Sequence, residues 1–199
     1  MTFMTDRDGN SSVGADHGGP SADSQLAVPD RRRVVTWEDP LAGAGLATQL
    51  SGLEYLQRIV DGRVPAPPVA LLLGMEIVEV AYGRAVFSIG VGEHLYNPIG
   101  SVHGGIFCTL LDSSMGCAVH STLPAGRAYT TLELKVNLVK PLRVGAPEVR
   151  CEGKVLSSGR RVATASGQIL GPDGALYAHA TTTCLLFDLS PGNENEAVK

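Results

Sequence analysis

The sequence predicts an α+β domain in which an antiparallel sheet wraps around one long central helix. Three observations predict it. The order of periodic segments from residue 75 onward is β-β-α-β-β-β-β. The one helix among them is apolar around nearly its whole circumference. The strand segments are separated by tight-turn dipeptides such as Ser158-Gly159 and Asp173-Gly174. A helix without a polar side needs cover on all sides, and a curved antiparallel sheet supplies it.

The elements follow in chain order. Residues 1–35 are rich in Gly, Ser, Asp and Pro and lack apolar periodicity, so a disordered tail is expected there. It ends in Arg31-Arg32-Arg33, expected to be a solvated basic cluster. An N-terminal helical extension is expected over 36–68. Asp39-Pro40 is a helix start signal, and Leu46, Leu50, Leu53 and Val60 recur at helical spacing up to Gly62. "VPAPP" is a stiff linker, and "VALLLGM" suits one short helical turn. The sheet domain is expected over 69–190, with a flexible C-terminus at 191–199. Its strands are "MEIVEVAYG" and "RAVFSIGVG", joined at Tyr82-Gly83, then about 128–139, 147–157, 160–170 and 175–187. In the first of the last four, Leu132, Leu134, Val136 and Leu138 alternate with Thr131, Glu133, Lys135 and Asn137.

Composition narrows the function classes. Of 199 residues, 44 % are hydrophobic and only 5 % aromatic, so the core is built of aliphatic residues and alanine. The formal net charge of −4 gives no basic field for nucleic acid. No apolar run reaches the length of a membrane span, and the N-terminus lacks the apolar stretch of a signal peptide. The four cysteines form no C-x-x-C pair and no metal-ligand spacing; reduced thiols in a cytoplasmic protein are expected, with no metal site.

The candidate site lies in "NPIGSVHGGIFCTLLDSSMGCAVH", residues 97–120. A helix is expected from about 103 to 122, with Ser101 as the candidate N-cap. Its N-terminus carries Gly104 and Gly105, which leave first-turn N–H groups bare for a ligand oxygen. With the helix dipole, such an end can act as an oxyanion hole. Asn97 and His103 bracket the same spot. Asp112 sits two turns into the apolar body, where an unpartnered carboxylate would be costly. It is either a structural acid bonded to neighbours or a catalytic carboxylate in a half-buried site. The triplet His17-Gly18-Gly19 in the tail opens no apolar helix and is assigned no role. Cys108 and Cys117 read as small core residues, and His94, His120 and His179 as surface or structural groups.

Together, "NPIGSVHGGIFCTLLDSSMG", "TTLELKVNLVKPLRVG" and the strand order resemble the hot-dog fold acyl-CoA thioesterases of the phenylacetyl-CoA (PaaI-like) branch, over about residues 72–187. The resemblance implies a thioester hydrolase releasing free CoA and a carboxylic acid, with no cofactor. It implies that Asp112 is nucleophile or general base, that the Gly104 N–H polarises the thioester carbonyl, and that His103 and Asn97 surround the scissile group. It also implies a helping hydroxyl on the next strand. Thr131 aligns best with it, although Thr130 shares the parity of the apolar face. Gly105, Thr130, Arg160 and Arg161 are the candidate substrate-binding residues, the two arginines for CoA phosphates. Sites in this family lie between subunits, so a homodimer or dimer of dimers is implied. Neither a nucleic-acid nor a membrane partner is expected. The alternative reading is a non-catalytic acyl-CoA-binding or regulatory hot-dog module.

Overall fold

The computed structural model describes residues 31–189. The tail expected over 1–35 falls mostly outside these residues, as does the flexible C-terminus expected at 191–199.

The helical extension opens with α1 (Pro40–Ala44), where Asp39 caps the Leu41 N–H at 2.9 Å. A 3-10 turn (Gly45–Thr48) follows, and a separate helix α2 spans Gly52–Val60. One continuous helix from Pro40 to Asp61 was expected from the leucine spacing; the chain instead breaks before Ser51. There Ser51 and Glu54 form a capping box, each side chain accepting from the other's backbone N–H. Such a box is a strong local start signal, and it outweighs the weak propagation through Gly43 and Gly45. Gly62, at φ 70°, follows the helix in the left-handed region that stops it. The short turn expected in "VALLLGM" is α3 (Pro68–Leu73).

Six strands make one antiparallel sheet: β1 (Met75–Ala81), β2 (Arg84–Ile89), β3 (Arg127–Leu138), β4 (Val149–Ser158), β5 (Val162–Leu170) and β6 (Leu176–Asp188). Their spatial order is β1-β2-β4-β5-β6-β3, so β1 and β3 are the edges. The long helix α4 (Gly104–His120) is inserted in the chain between β2 and β3 and lies across the concave face. This is the hot-dog arrangement. On the outer face, ion pairs link Glu79, Arg84, Arg150, Glu152 and Lys154 across β1, β2 and β4. Exposed pairs of this kind contribute little individually.

Small residues let helix and sheet approach. A Cβ at Gly153 would lie 2.3 Å from the Ser114 carbonyl oxygen, so the α4 backbone rests directly on β4. Ala163, Ala165, Ala178 and Ala180 are all buried on β5 and β6. Against them α4 places Leu110, Leu111, Met115, Ala118 and Val119, none more than 2 % exposed. Each such aliphatic side chain contributes about 1.5–3 kcal/mol of burial free energy.

Complete cover of α4 was expected. Cover is instead one-sided in the single chain. Ile106, Cys108, Thr109, Asp112, Ser113, Cys117 and His120 are only half-buried, and His103 and Gly105 are exposed. This open stripe faces along the edge strand β3. Among the described residues, no helix is long and apolar enough to cross a membrane.

Candidate active site

Asp112 leaves α4 within the open stripe and meets β3. The Thr131 hydroxyl donates to Asp112 Oδ1 at 2.8 Å. Simple alternation along β3 puts Thr131 on the opposite face from Leu134 and Val136. A β-bulge reverses this. Thr131 pairs with Cys184 and Glu133 with Thr183, so Leu132 is an extra residue with no opposite number. Parity therefore changes at Leu132. Tyr129 and Thr131 face α4 before it, and Leu134 and Val136 pack on the core after it. Leu132 itself is 59 % exposed. Thr130 is exposed and takes no part in the Asp112 cluster.

The groups around Asp112 are neutral. Burial, then the Asp112 charge, pushes the Cys117 thiol up to about 12. Burial also holds Tyr129 well above the ordinary phenol range, with Cys117, Asp112 and Cys184 adding to it. The Cys184 thiol is raised by burial, partly offset by the hydroxyls of Thr182 and Thr131. Protonated thiols are poor nucleophiles, so Cys117 and Cys184 offer no rival to the carboxylate. All four cysteines are free. Among the described residues there is no group of three His, Cys, Asp or Glu side chains that could hold a metal ion.

The start of α4 is built by the preceding loop. Asn97 Oδ1 accepts from the Ile99 N–H at 3.0 Å and the Ser101 N–H at 3.2 Å, and its Nδ2 donates to Ser101 Oγ at 3.0 Å. The Asn97 side chain thus shapes the turn that delivers the helix. Ser101 is buried in that turn and is not the N-cap. The cap is His103, whose Nδ1 accepts the Gly105 N–H at 2.9 Å. The expectation of two bare glycine N–H groups is corrected accordingly. Gly105 is capped, while the Gly104 N–H has no acceptor among the described residues. With Nδ1 accepting, the proton of a neutral His103 ring sits on the exposed Nε2. Leu138 Cδ1 would lie 3.0 Å from a Cβ at Gly104, so a side chain there would press on the far end of β3.

Gly104 and Asp112 are eight residues apart on one helix, about 12 Å at a 1.5 Å rise. No single carbonyl can touch both groups of the same chain. Arg160 and Arg161 lie still further from Gly104. They form the β4–β5 turn, where the Arg127 guanidinium donates to Arg160 O at 2.7 Å and the Leu186 N–H to Arg161 O at 2.8 Å. That turn lies near the start of β3, whereas Gly104 lies beside its end. Lys140 and Arg143 occupy the Gly104 end: Val102 donates to the carbonyl of Leu142, between them, at 2.9 Å.

Comparison with known proteins now decides the family. The thioesterase superfamily model matches residues 99–178, from the loop before α4 into β6. A Saccharolobus solfataricus protein named "Putative esterase" is 31 % identical over 115 residues, covering 58 % of this chain and 80 % of its own. The chain belongs to the thioesterase superfamily. Solved structures of thioesterase relatives superpose on it. One, from Ralstonia eutropha JMP134, is described as a "putative thioesterase, phenylacetic acid degradation-related protein". It is 32 % identical with a TM-score of 0.59, over 66 % of this chain and 98 % of its own. Another, a thioesterase family protein from Silicibacter pomeroyi, is 27 % identical with the same TM-score, over 67 % of this chain and 98 % of its own. The superfamily match begins only at residue 99, so α1, α2 and α3 precede it.

Sequence reasoning on this thioesterase-superfamily domain passed over Tyr129. Its hydroxyl would lie 2.4 Å from a Cβ at Gly116, one turn beyond Asp112. The available signal was its spacing of two from Thr131, which puts both on one face of the strand.

Proposed function

We propose that this chain hydrolyses acyl-CoA thioesters to free CoA and a carboxylic acid, in the phenylacetyl-CoA branch of its superfamily. The observation that carries the reading is the hydrogen bond from Thr131 to Asp112 in the uncovered stripe of α4. It holds a carboxylate in place by one oxygen and leaves the other available to a substrate.

The site is completed by a second copy of the chain. A two-fold axis beside the open stripe brings Gly104 of one copy next to Asp112 of the other, which removes the 12 Å problem. The exposed edge of β3 would pair or be covered in the same dimer. The thioester carbonyl oxygen then accepts from the bare Gly104 N–H, with His103 beside it. In the general-base route, Asp112 takes a proton from water as the water oxygen attacks the carbonyl carbon. The tetrahedral oxyanion rests on the Gly104 N–H, the C–S bond breaks, and the proton passes from Asp112 to the CoA thiolate. In the nucleophilic route, Asp112 attacks the carbon directly and water hydrolyses the resulting anhydride. Asn97 supports both routes by shaping the loop that sets the helix start. Arg160 and Arg161, exposed at their turn, are the proposed contacts for CoA phosphates.

The test is release of CoA thiol from a panel of acyl-CoA esters by wild type, Asp112→Asn and Asp112→Ala. Loss of about 10³-fold or more in kcat with fold and oligomeric state retained is expected. Unchanged turnover in both variants would remove Asp112 from the mechanism. An absence of thiol release by wild type from every ester would favour a binding module over an enzyme.

A further inference from the structure

The groove between α4 and β3 has two unlike ends. At the Gly104 end it meets the aliphatic side chain of Leu138. At the other end it runs into three rings. Tyr129 covers Gly116, His120 is tilted against Tyr129 at a centroid distance of 5.8 Å, and Tyr55 stacks on His120 at 5.8 Å and 25°. Tyr55 belongs to α2, outside the segment the superfamily model matches.

The docking of α2 is built into the backbone. The Gly52 N–H donates to the Leu123 carbonyl at 3.0 Å. A Cβ at Gly52 would lie 1.9 Å from the His120 carbonyl oxygen, so only glycine allows this approach. The Ser51–Glu54 capping box fixes the first turn, which carries Tyr55 directly behind it. Burial raises the Tyr55 phenol and lowers the His120 imidazole, as expected of groups enclosed by one another. Tyr55 is therefore a fixed wall rather than a swinging lid.

In the two-copy site, the second copy's Gly104 sits beside Asp112, and its helix fills the groove toward the first copy's Gly104. The acyl group, attached to the carbonyl at Asp112, is left with the side toward Tyr129, His120 and Tyr55. We infer that Tyr55 is a specificity-determining residue that closes the blind end of the acyl site through His120 and Tyr129 and so limits acyl length. This inference rests on the thioesterase reading above. Along the helix, the space between Asp112 and the Tyr129 ring is about one turn, roughly 5–6 Å, which suits a short chain or a single ring.

The test is a kcat/KM profile over straight-chain acyl-CoA esters from acetyl to lauroyl, for wild type, Tyr55→Ala, His120→Ala and Gln57→Ala, each checked by thermal melting. Tyr55→Ala and His120→Ala open the same end from two different elements. Both are expected to raise kcat/KM about tenfold on esters just beyond the wild-type limit, the size of effect that a pocket change of one or two methylenes gives. Gln57→Ala, on the exposed side of α2, is expected to keep the wild-type limit. Folded Tyr55→Ala and His120→Ala proteins with the wild-type limit would overturn the inference while leaving the thioesterase reading intact. A wild type inactive on the whole series would overturn both.

Discussion

Toward the sheet, α4 presents Leu111, Met115, Ala118 and Val119 with no exposed surface at all. Away from it, the same helix presents Thr109, Asp112, Ser113 and Cys117, each half-covered. The adjacent serines make the contrast sharp. Ser114 is fully buried, donating to the Leu111 carbonyl at 3.0 Å and lying 3.1 Å from Cys151 Sγ, whereas Ser113 next to it has neither contact. The first side holds the fold of one chain together. The second is unfinished in one chain, and its polar groups are those that the proposed chemistry uses. A site between subunits therefore need not compete with the core for the same residues, because each takes its own side of one helix.

The comparison can be broken most severely at Gly153. A side chain there meets the α4 backbone, which cannot move without uncovering the core. Gly153→Val is expected to cost about 4 kcal/mol or more, seen as loss of a cooperative thermal transition. A variant that melts like wild type would mean that helix and sheet are not in contact at Ser114. On the open side, Thr131→Val removes the hydrogen bond to Asp112 while keeping the shape. It is expected to lower kcat/KM by about 10- to 100-fold, the kinetic equivalent of about 1.5–3 kcal/mol for a bond to a charged group, with little change in melting. Full activity would show that Asp112 does not need that support. The smallest effect is expected at Ser114→Ala. It should cost about 1 kcal/mol of stability by denaturant unfolding and leave turnover within twofold. A larger fall in turnover than in stability would show that the two sides of α4 are coupled.

Much of the architecture was legible because it depends on local patterns. Residues 104–120 are apolar at every angle around the helix, the strands alternate, and Tyr82-Gly83 and Asp173-Gly174 mark turns. Asp112 stood out because a carboxylate in such a helix is costly without a partner. The glycine pair stood out because glycine weakens a helix start unless something must approach it.

By itself, then, the sequence determined the order of elements, the long buried helix and the segment carrying His103, Gly104 and Asp112. Periodicity and burial cost are properties of the chain read along its own length. Tertiary structure decided which hydroxyl meets Asp112. The bulge at Leu132 arises from the pairing of β3 with β6, and it reverses the face of every residue beyond it. Pairing likewise put Arg160 and Arg161 near the start of β3 and Tyr129 beside Gly116. Docking on the end of α4 brought Tyr55 against His120. Each of these depends on residues far apart in the chain, which no local pattern encodes.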